Sequence, residues 1–169
     1  MPMASPSSPS LLRRAWLGAE YRTLRYLFSR TRRRSKLPPH LLIGIQGELE
    51  AFFYLRRLGY TVVARRWRSA KLRGDLDLIA WEGSTLCFIE VKTRSRRGAI
   101  AAEAAVDSDK QQMLHTLARA YIRRLPSEPS QARFDVLSFY LDESDGFRSS
   151  SHSAEHPSFV LYKGAISWK

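Results

Sequence analysis

The sequence predicts a mixed α/β domain built on a single β-sheet. Three observations carry that expectation. Two stretches, 47–58 and 107–124, set apolar residues at helical spacing. Runs rich in β-branched and aromatic residues lie between and after them. In order the elements read α-β-β-β-α-β-β, the pattern of helices packed on one sheet.

From the N-terminus, residues 1–10 are rich in Ser and Pro and are expected to be disordered. Leu11 to Arg34 has the pattern of a basic amphipathic helix, with Leu17, Tyr21, Leu24 and Phe28 at helical spacing. Such a segment suits packing on the domain, a mobile arm, a membrane surface, nucleic acid or a targeting peptide. Leu37-Pro38-Pro39 marks a boundary between an extension, 1–40, and a domain, 41–169. Gly47 to Leu58 reads as a helix with Ala51, Phe52, Leu55 and Leu58 on one face and Gly59 as its stop. Tyr60 to Trp67 reads as a strand, and Arg68 to Arg73 as a basic loop. Two hairpin strands follow, then a loop from Thr93 to Ala102. Asp107 to Arg124 reads as a helix whose apolar side is Met113, Leu114, Leu117, Tyr121 and Ile122. Phe134 to Leu141 and Ser158 to Tyr162 read as strands, joined by a flexible connection from Ser144 to His156.

Composition narrows the function classes. Of 169 residues 44% are hydrophobic, enough for a core. A single cysteine, Cys87, excludes an internal disulfide framework and suits a reducing compartment, so a cytoplasmic location is expected. There is no apolar run of membrane-spanning length and no signal-peptide segment. The net charge is +12. Residues 1–40 hold nine Lys or Arg against one acid, Glu20, so most of the excess lies in the extension. A basic excess favours phosphate backbones or anionic lipid as partners.

The most informative stretch is the hairpin. Gly74-Asp75-Leu76-Asp77-Leu78-Ile79-Ala80 is followed by the turn Glu82-Gly83-Ser84-Thr85 and by Phe88-Ile89-Glu90-Val91-Lys92-Thr93. Gly83-Ser84 suits a two-residue type II′ loop, which makes paired residue numbers sum to 167. Asp77 then faces Glu90, and Asp75 faces Lys92. Alternation gives one wholly apolar face, Leu76, Leu78 and Ala80 against Cys87, Ile89 and Val91. The other face carries Asp75, Asp77, Ile79 and Trp81 against Phe88, Glu90 and Lys92. Like charges directly opposed destabilise a sheet, so a cation is expected between them. Hard carboxylate ligands favour Mg²⁺ or Mn²⁺. Lys92 beside them can bind a phosphate oxygen or orient water, which supplies the parts for metal-assisted phosphodiester hydrolysis. A plain Asp75–Lys92 ion pair is the competing reading of the same spacing.

Several motifs in order carry a family resemblance: Gly47-Glu48-Leu49-Glu50-Ala51, Leu58-Gly59-Tyr60, Gly74-Asp75-Leu76-Asp77-Leu78-Ile79, Glu90-Val91-Lys92-Thr93-Arg94, Lys110, and Arg133-Phe134-Asp135-Val136. From about Leu41 onward the chain resembles the YraN family of bacterial proteins, related to archaeal Holliday junction resolvases and the PD-(D/E)XK nucleases. The resemblance implies a restriction-endonuclease-like core. It implies Asp77 and Glu90 as metal ligands, in preference to Asp75, with the Val91 carbonyl completing the site. It also implies Lys92 as the catalytic lysine and Glu48 as a first-helix acid reaching the site through water or metal. The chain has Asp75 where the family pattern has glutamate and Arg66 where asparagine is common, and its first forty residues have no counterpart.

The resulting expectation is a Mg²⁺- or Mn²⁺-dependent DNA endonuclease, with branched or junction DNA as candidate substrates and DNA ahead of RNA. Arg65, Arg66, Arg68, Lys71 and Arg73, with Trp67 as a stacking residue, form one expected phosphate-contacting rim. Arg94, Arg96 and Arg97 form the other, with Lys110 at the start of the second helix. A homodimer is expected by analogy with the resolvases. The alternatives are a nucleic-acid-binding module of the same fold without turnover, or a peripheral membrane protein held by residues 11–34.

Overall fold

The computed structural model describes residues 38–95, 107–141 and 158–168, together with Thr23. The expected helix at 11–34 (Thr23 apart), Arg96, Arg97 and the connection 144–156 lie outside these residues. Seven elements follow in order: α1 (Pro39–Arg57), β1 (Thr61–Trp67), β2 (Leu76–Glu82), β3 (Thr85–Ser95), α2 (Ser108–Ile122), β4 (Gln131–Leu141) and β5 (Ser158–Ile166). The five strands form one sheet in sequence order. Only β3 and β4 are parallel, joined across α2; the other neighbours are antiparallel. The α/β class and element order match the sequence reading and are compatible with a nuclease-like core.

The first helix begins eight residues before the expected Gly47, at Pro39. Proline suits the first helical turn because its missing N–H would have no partner there. The helix stops where expected, with Gly59 at φ +95°. The second helix is capped by Asp107, whose carboxylate accepts the Lys110 N–H at 2.8 Å.

Each face of the sheet carries one helix. Ala51 and Leu55 of α1 pack with Tyr60, Leu78, Ala80, Cys87, Ile89 and Leu137. On the opposite face Leu114, Leu117 and Ala118 of α2 pack with Ile79, Leu86, Phe88, Phe134 and Val136. The faces therefore sort as the hairpin register requires, with one exception. Leu76 was expected beside Leu78 but lies in the α2-side core. The reason is local: the β2–β3 ladder ends at Leu78↔Ile89, and below it β2 follows β1 alone. Within the ladder every pair sums to 167, from Glu82↔Thr85 to Leu78↔Ile89. Gly83 has φ +58°, as a type II′ loop needs at its first position. Cys87 is buried in the α1-side core, and burial pushes its thiol up to about 11, so it serves as an inert core residue. Among the described residues, no helix is long and apolar enough to cross a membrane.

Two glycines set close approaches. A Cβ on Gly47 would collide with the Thr93 hydroxyl and touch the Phe139 ring, so a larger residue here would have to displace the Thr93 side chain. Gly74, at φ +84°, tucks under Met113 of α2 in the same way.

The turn end of the hairpin is tied by a closed ionic network. Asp135 is fully buried. Arg133 Nε donates to both its oxygens at 2.9 and 3.1 Å, and the Gly164 N–H donates to Oδ1 at 2.9 Å. Arg133 Nη2 also donates to Glu82 Oε2 at 2.6 Å and to the Tyr60 hydroxyl at 3.2 Å, while Lys163 holds Glu82 Oε1 at 2.6 Å. The Gly164 bond explains why β5 runs to Ile166, four residues past the expected Tyr162. Asp135 takes over the N–H at an irregularity in the β4–β5 ladder, so pairing resumes at Phe134↔Ile166. Removing one partner of a buried ion pair typically costs about 3–5 kcal/mol, because the other charge is stranded. Arg133→Met should therefore lower stability by about 3 kcal/mol in urea unfolding, and Arg133→Met with Asp135→Val should recover part of it. An unchanged midpoint for Arg133→Met would show that the network is idle.

Candidate metal and phosphodiester site

The open end of the hairpin gathers the acids singled out by the sequence. Where the β2–β3 ladder stops, the Asp77 carboxylate takes the place of a backbone partner: the Val91 N–H donates to Asp77 Oδ2 at 2.8 Å. This fixes Asp77 against β3 near Glu90. Glu90 is 5% exposed. Its Oε1 is held by two ammonium groups, Lys92 Nζ at 2.9 Å and Lys110 Nζ at 3.3 Å. Its Oε2 is buried without a hydrogen-bond partner among the described residues.

Glu48 comes from α1, one residue after the close contact at Gly47, and pairs with Arg66 Nε at 3.5 Å. Burial raises its pKa, with Asp75 and Glu90 adding to the rise and Arg66 opposing it. Asp77 is more strongly affected. Burial first, then the charges of Glu90 and Glu48, push its carboxyl up to about 7 against the Val91 bond and Lys110. The acids thus repel one another across a space poor in water, and a cation would relieve this.

Asp75 does not face Lys92 as expected. Residue 75 precedes β2 and is outside the ladder, so its carboxylate is free to turn toward β1 and the loop after it. It pairs with Arg68 Nη2 at 3.1 Å and lies 3.9 Å from Arg66 Nε. Arg66 itself has φ +46°, opposite Asp77 in the β1–β2 pairing. Asparagine, the residue that the sequence resemblance implies at this position, tolerates that left-handed conformation better than arginine does.

The remaining expected residues divide. Lys110 is brought into the site. Arg65 lies over the Phe52 ring of α1, 5.2 Å from its centre. Lys71 and Arg73 are exposed. Arg73 also lines a cleft of about 300 Å³ with Met113 and Gln112 of α2. Arg94 continues the row of Glu90 and Lys92 along β3. Trp67 is not a free stacking residue, because it packs edge-on against Tyr121 and lies beneath Arg124. Sequence reasoning missed Ser138, a buried polar residue beside Lys92 in the β3–β4 register. A lone serine within the apolar run Val136-Leu137-Ser138-Phe139 was the available signal.

Among the described residues, no three His, Cys, Asp or Glu side chains are grouped so as to hold a metal ion. The carboxylates available are those of Asp77 and Glu90, with Glu48 engaged by Arg66. Mg²⁺ commonly uses only one or two protein carboxylates and keeps its waters. The unbonded Glu90 Oε2 and the repulsion on Asp77 both fit such an ion.

The raised Asp77 pKa has a signed consequence for stability. An unfolded aspartate releases its proton near pH 3.9, the folded one near 7, so between these values the folded state binds more protons. Without divalent cation, stability should fall as pH rises from about 4 to about 7. At about 1.4 kcal/mol per pKa unit, ionised Asp77 costs up to about 4 kcal/mol above pH 7. Asp77→Asn keeps an acceptor for Val91 and removes the charge. It should melt higher than wild type at pH 8 without metal, and added Mg²⁺ should raise the wild-type melting temperature only. Equal pH dependence in both proteins would remove Asp77 as the strained acid.

Comparison with known proteins places these residues within a family. The uncharacterised protein family UPF0102 matches residues 47–139, a span that contains Glu48, Asp77, Glu90, Lys92 and Lys110. A UPF0102 protein of Koribacter versatilis is 49% identical over 105 residues, covering 62% of this chain and 73% of the relative. One from Solibacter usitatus is 45% identical over 101 residues, 60% of this chain and 76% of the relative. One from Chlorobium limicola is 40% identical over 118 residues, 70% of this chain and 89% of the relative. With more than half its length matched, and the relatives covered over most of theirs, the chain belongs to the UPF0102 (YraN) family.

Proposed function

We propose that the protein is a Mg²⁺- or Mn²⁺-dependent DNA endonuclease that hydrolyses phosphodiester bonds. The observation that carries this reading is the asymmetric environment of Glu90. One oxygen is saturated by two lysines, the other is buried and unbonded, and the Asp77 carboxylate lies alongside. Asp77 and Glu90 would hold the cation, with the Val91 carbonyl as a third oxygen. When bound, the cation supplies Lewis acidity toward the phosphate and lowers the pKa of a water.

The chain supplies the rest. The Val91 bond locks the Asp77 carboxylate toward β3, so its geometry needs no reorganisation. Lys92, whose ammonium lies beside Glu90, would steady the attacking water or the charge developing on the phosphate. Lys110 stays near Glu90 and balances charge. Arg73 and Lys71, exposed on the loop between β1 and β2, would contact the phosphate backbone and give affinity without sequence readout.

Incubation of linear, flapped and four-way-junction DNA with Mg²⁺ or Mn²⁺ tests the reading. Wild type should cut at least one of them. Asp77→Ala and Glu90→Ala should each reduce the rate by about a thousandfold, and Lys92→Ala by about a hundredfold or more, while all three still bind DNA in Ca²⁺. Cutting that survives Asp77→Ala would refute the site. Salt-dependent binding without cutting would make the protein a non-catalytic DNA-binding module.

A further inference from the structure

Lys92 is not the last cation on its side of β3. Alternation projects Glu90, Lys92 and Arg94 from one sheet face. Val136, Ser138 and Tyr140 stand beside them on the parallel neighbour β4. Val136 belongs to the α2-side core, which identifies the face. Along this row two further polar atoms are buried without a hydrogen-bond partner among the described residues, Ser138 Oγ and Arg94 Nε. Ser138 is only 1% exposed. Folded proteins pair such atoms with protein, water or a ligand. The Tyr140 hydroxyl is bonded to Tyr162, and the Arg94 charge acts on the Tyr162 hydroxyl as well.

What the row offers beyond Glu90 is an ammonium, a hydroxyl and a guanidinium, with no carboxylate among Lys92, Arg94, Ser138 and Tyr140. Arginine beside a hydroxyl suits a phosphate, whose oxygens accept from several donors at once. The spacing suits more than one phosphate. Alternate residues of a strand lie about 6.6 Å apart, of the order of the distance between successive phosphates along one nucleic-acid strand. Glu90 thus marks the cation, Lys92 the scissile phosphate, and Arg94 a position one phosphate further along.

We propose that Arg94 and Ser138 form a subsite for the phosphate next to the scissile one on the same strand. The subsite rests on the nuclease reading of Asp77, Glu90 and Lys92. It gives β3 the role of a ruler, and it requires the substrate strand to continue past the cut on the Arg94 side.

The test uses the full chain with fluorescein-labelled single-stranded, flapped and junction DNA in Ca²⁺, taking the form bound most tightly. Relative to wild type, Arg94→Met should weaken binding about tenfold near 0.1 M salt and flatten the slope of log affinity against log salt by about one charge. Loss of packing alone would leave that slope unchanged. Ser138→Ala should weaken binding about threefold without lowering the melting temperature. Independently of any substitution, one neutral methylphosphonate beside the mapped cut should weaken wild-type binding about tenfold. An unchanged salt slope in Arg94→Met, unaltered binding in Ser138→Ala, or equal tolerance of the methylphosphonate everywhere overturns the subsite. Wild type that neither binds nor cuts any of these DNAs overturns the nuclease reading beneath it.

Discussion

The bond from the Val91 N–H to the Asp77 carboxylate is the constraint on which the site depends. A two-stranded ladder can end by fraying into solvent. Here it ends by substituting a side-chain oxygen for a backbone carbonyl, which keeps the Val91 N–H bonded while β2 leaves β3. The substitution has three effects at once. It anchors a carboxylate where the core is still dry, it sets that carboxylate near Glu90, and it frees the chain below to bring Asp75 toward β1. Without it, residues 75 and 77 would be two acids on an ordinary strand end.

The two ends of the same hairpin treat charge in opposite ways. At the turn, the acids Glu82 and Asp135 meet Arg133 and Lys163, and Glu82 has a lowered pKa because hydrogen bonds and nearby cations outweigh its burial. Every partner there is placed by the backbone, and Asp135 even closes the irregularity at Gly164. At the open end, by contrast, Asp77 and Glu48 are raised, and Glu90 keeps an unbonded oxygen. A fully satisfied buried network adds rigidity, whereas a half-satisfied one costs stability. Unsatisfied acids of this kind concentrate at functional positions, where the missing partner arrives with the ligand.

Much of this was legible in the chain because the hairpin carries its own register. Gly83-Ser84 fixes the loop, the loop fixes the pairing, and pairing with alternation sorts the faces. What was not legible lay where ladder logic stops applying. Leu76 and Asp75 were placed by extending the register two and three residues beyond Leu78, and both placements failed as the strands separated. The early start of α1 was hidden because His40 to Ile43 show no strong periodicity, while Pro38-Pro39 read only as a break. The length of β5 depended on a tertiary bond from Asp135 to Gly164, which no local pattern at Lys163-Gly164 announces. Ser138 was overlooked because a serine in an apolar run looks like filler until its neighbour across the sheet is known to be Lys92.

The arrangement of cations sets Asp77 and Glu90 apart from Glu48 and Asp75. Glu48 and Asp75 are engaged by Arg66 and Arg68. Arg66 reaches them from a left-handed backbone position of the kind that costs on the order of 1 kcal/mol or more for a residue with a side chain. Strain of that size persists only when the surroundings hold the backbone in place. Glu90 is neutralised by lysines instead, whose ammonium groups sit on long, partly exposed stems. Lysine is a compact charge on a flexible arm, and arginine a planar fork that holds its geometry. If the site takes a divalent cation as proposed, Lys92 is a partner of Glu90 able to move aside on its flexible stem. Glu48 and Asp75, paired with Arg66 and Arg68, have their negative charge offset within the fold, which leaves the Asp77–Glu90 repulsion as the charge still to be balanced.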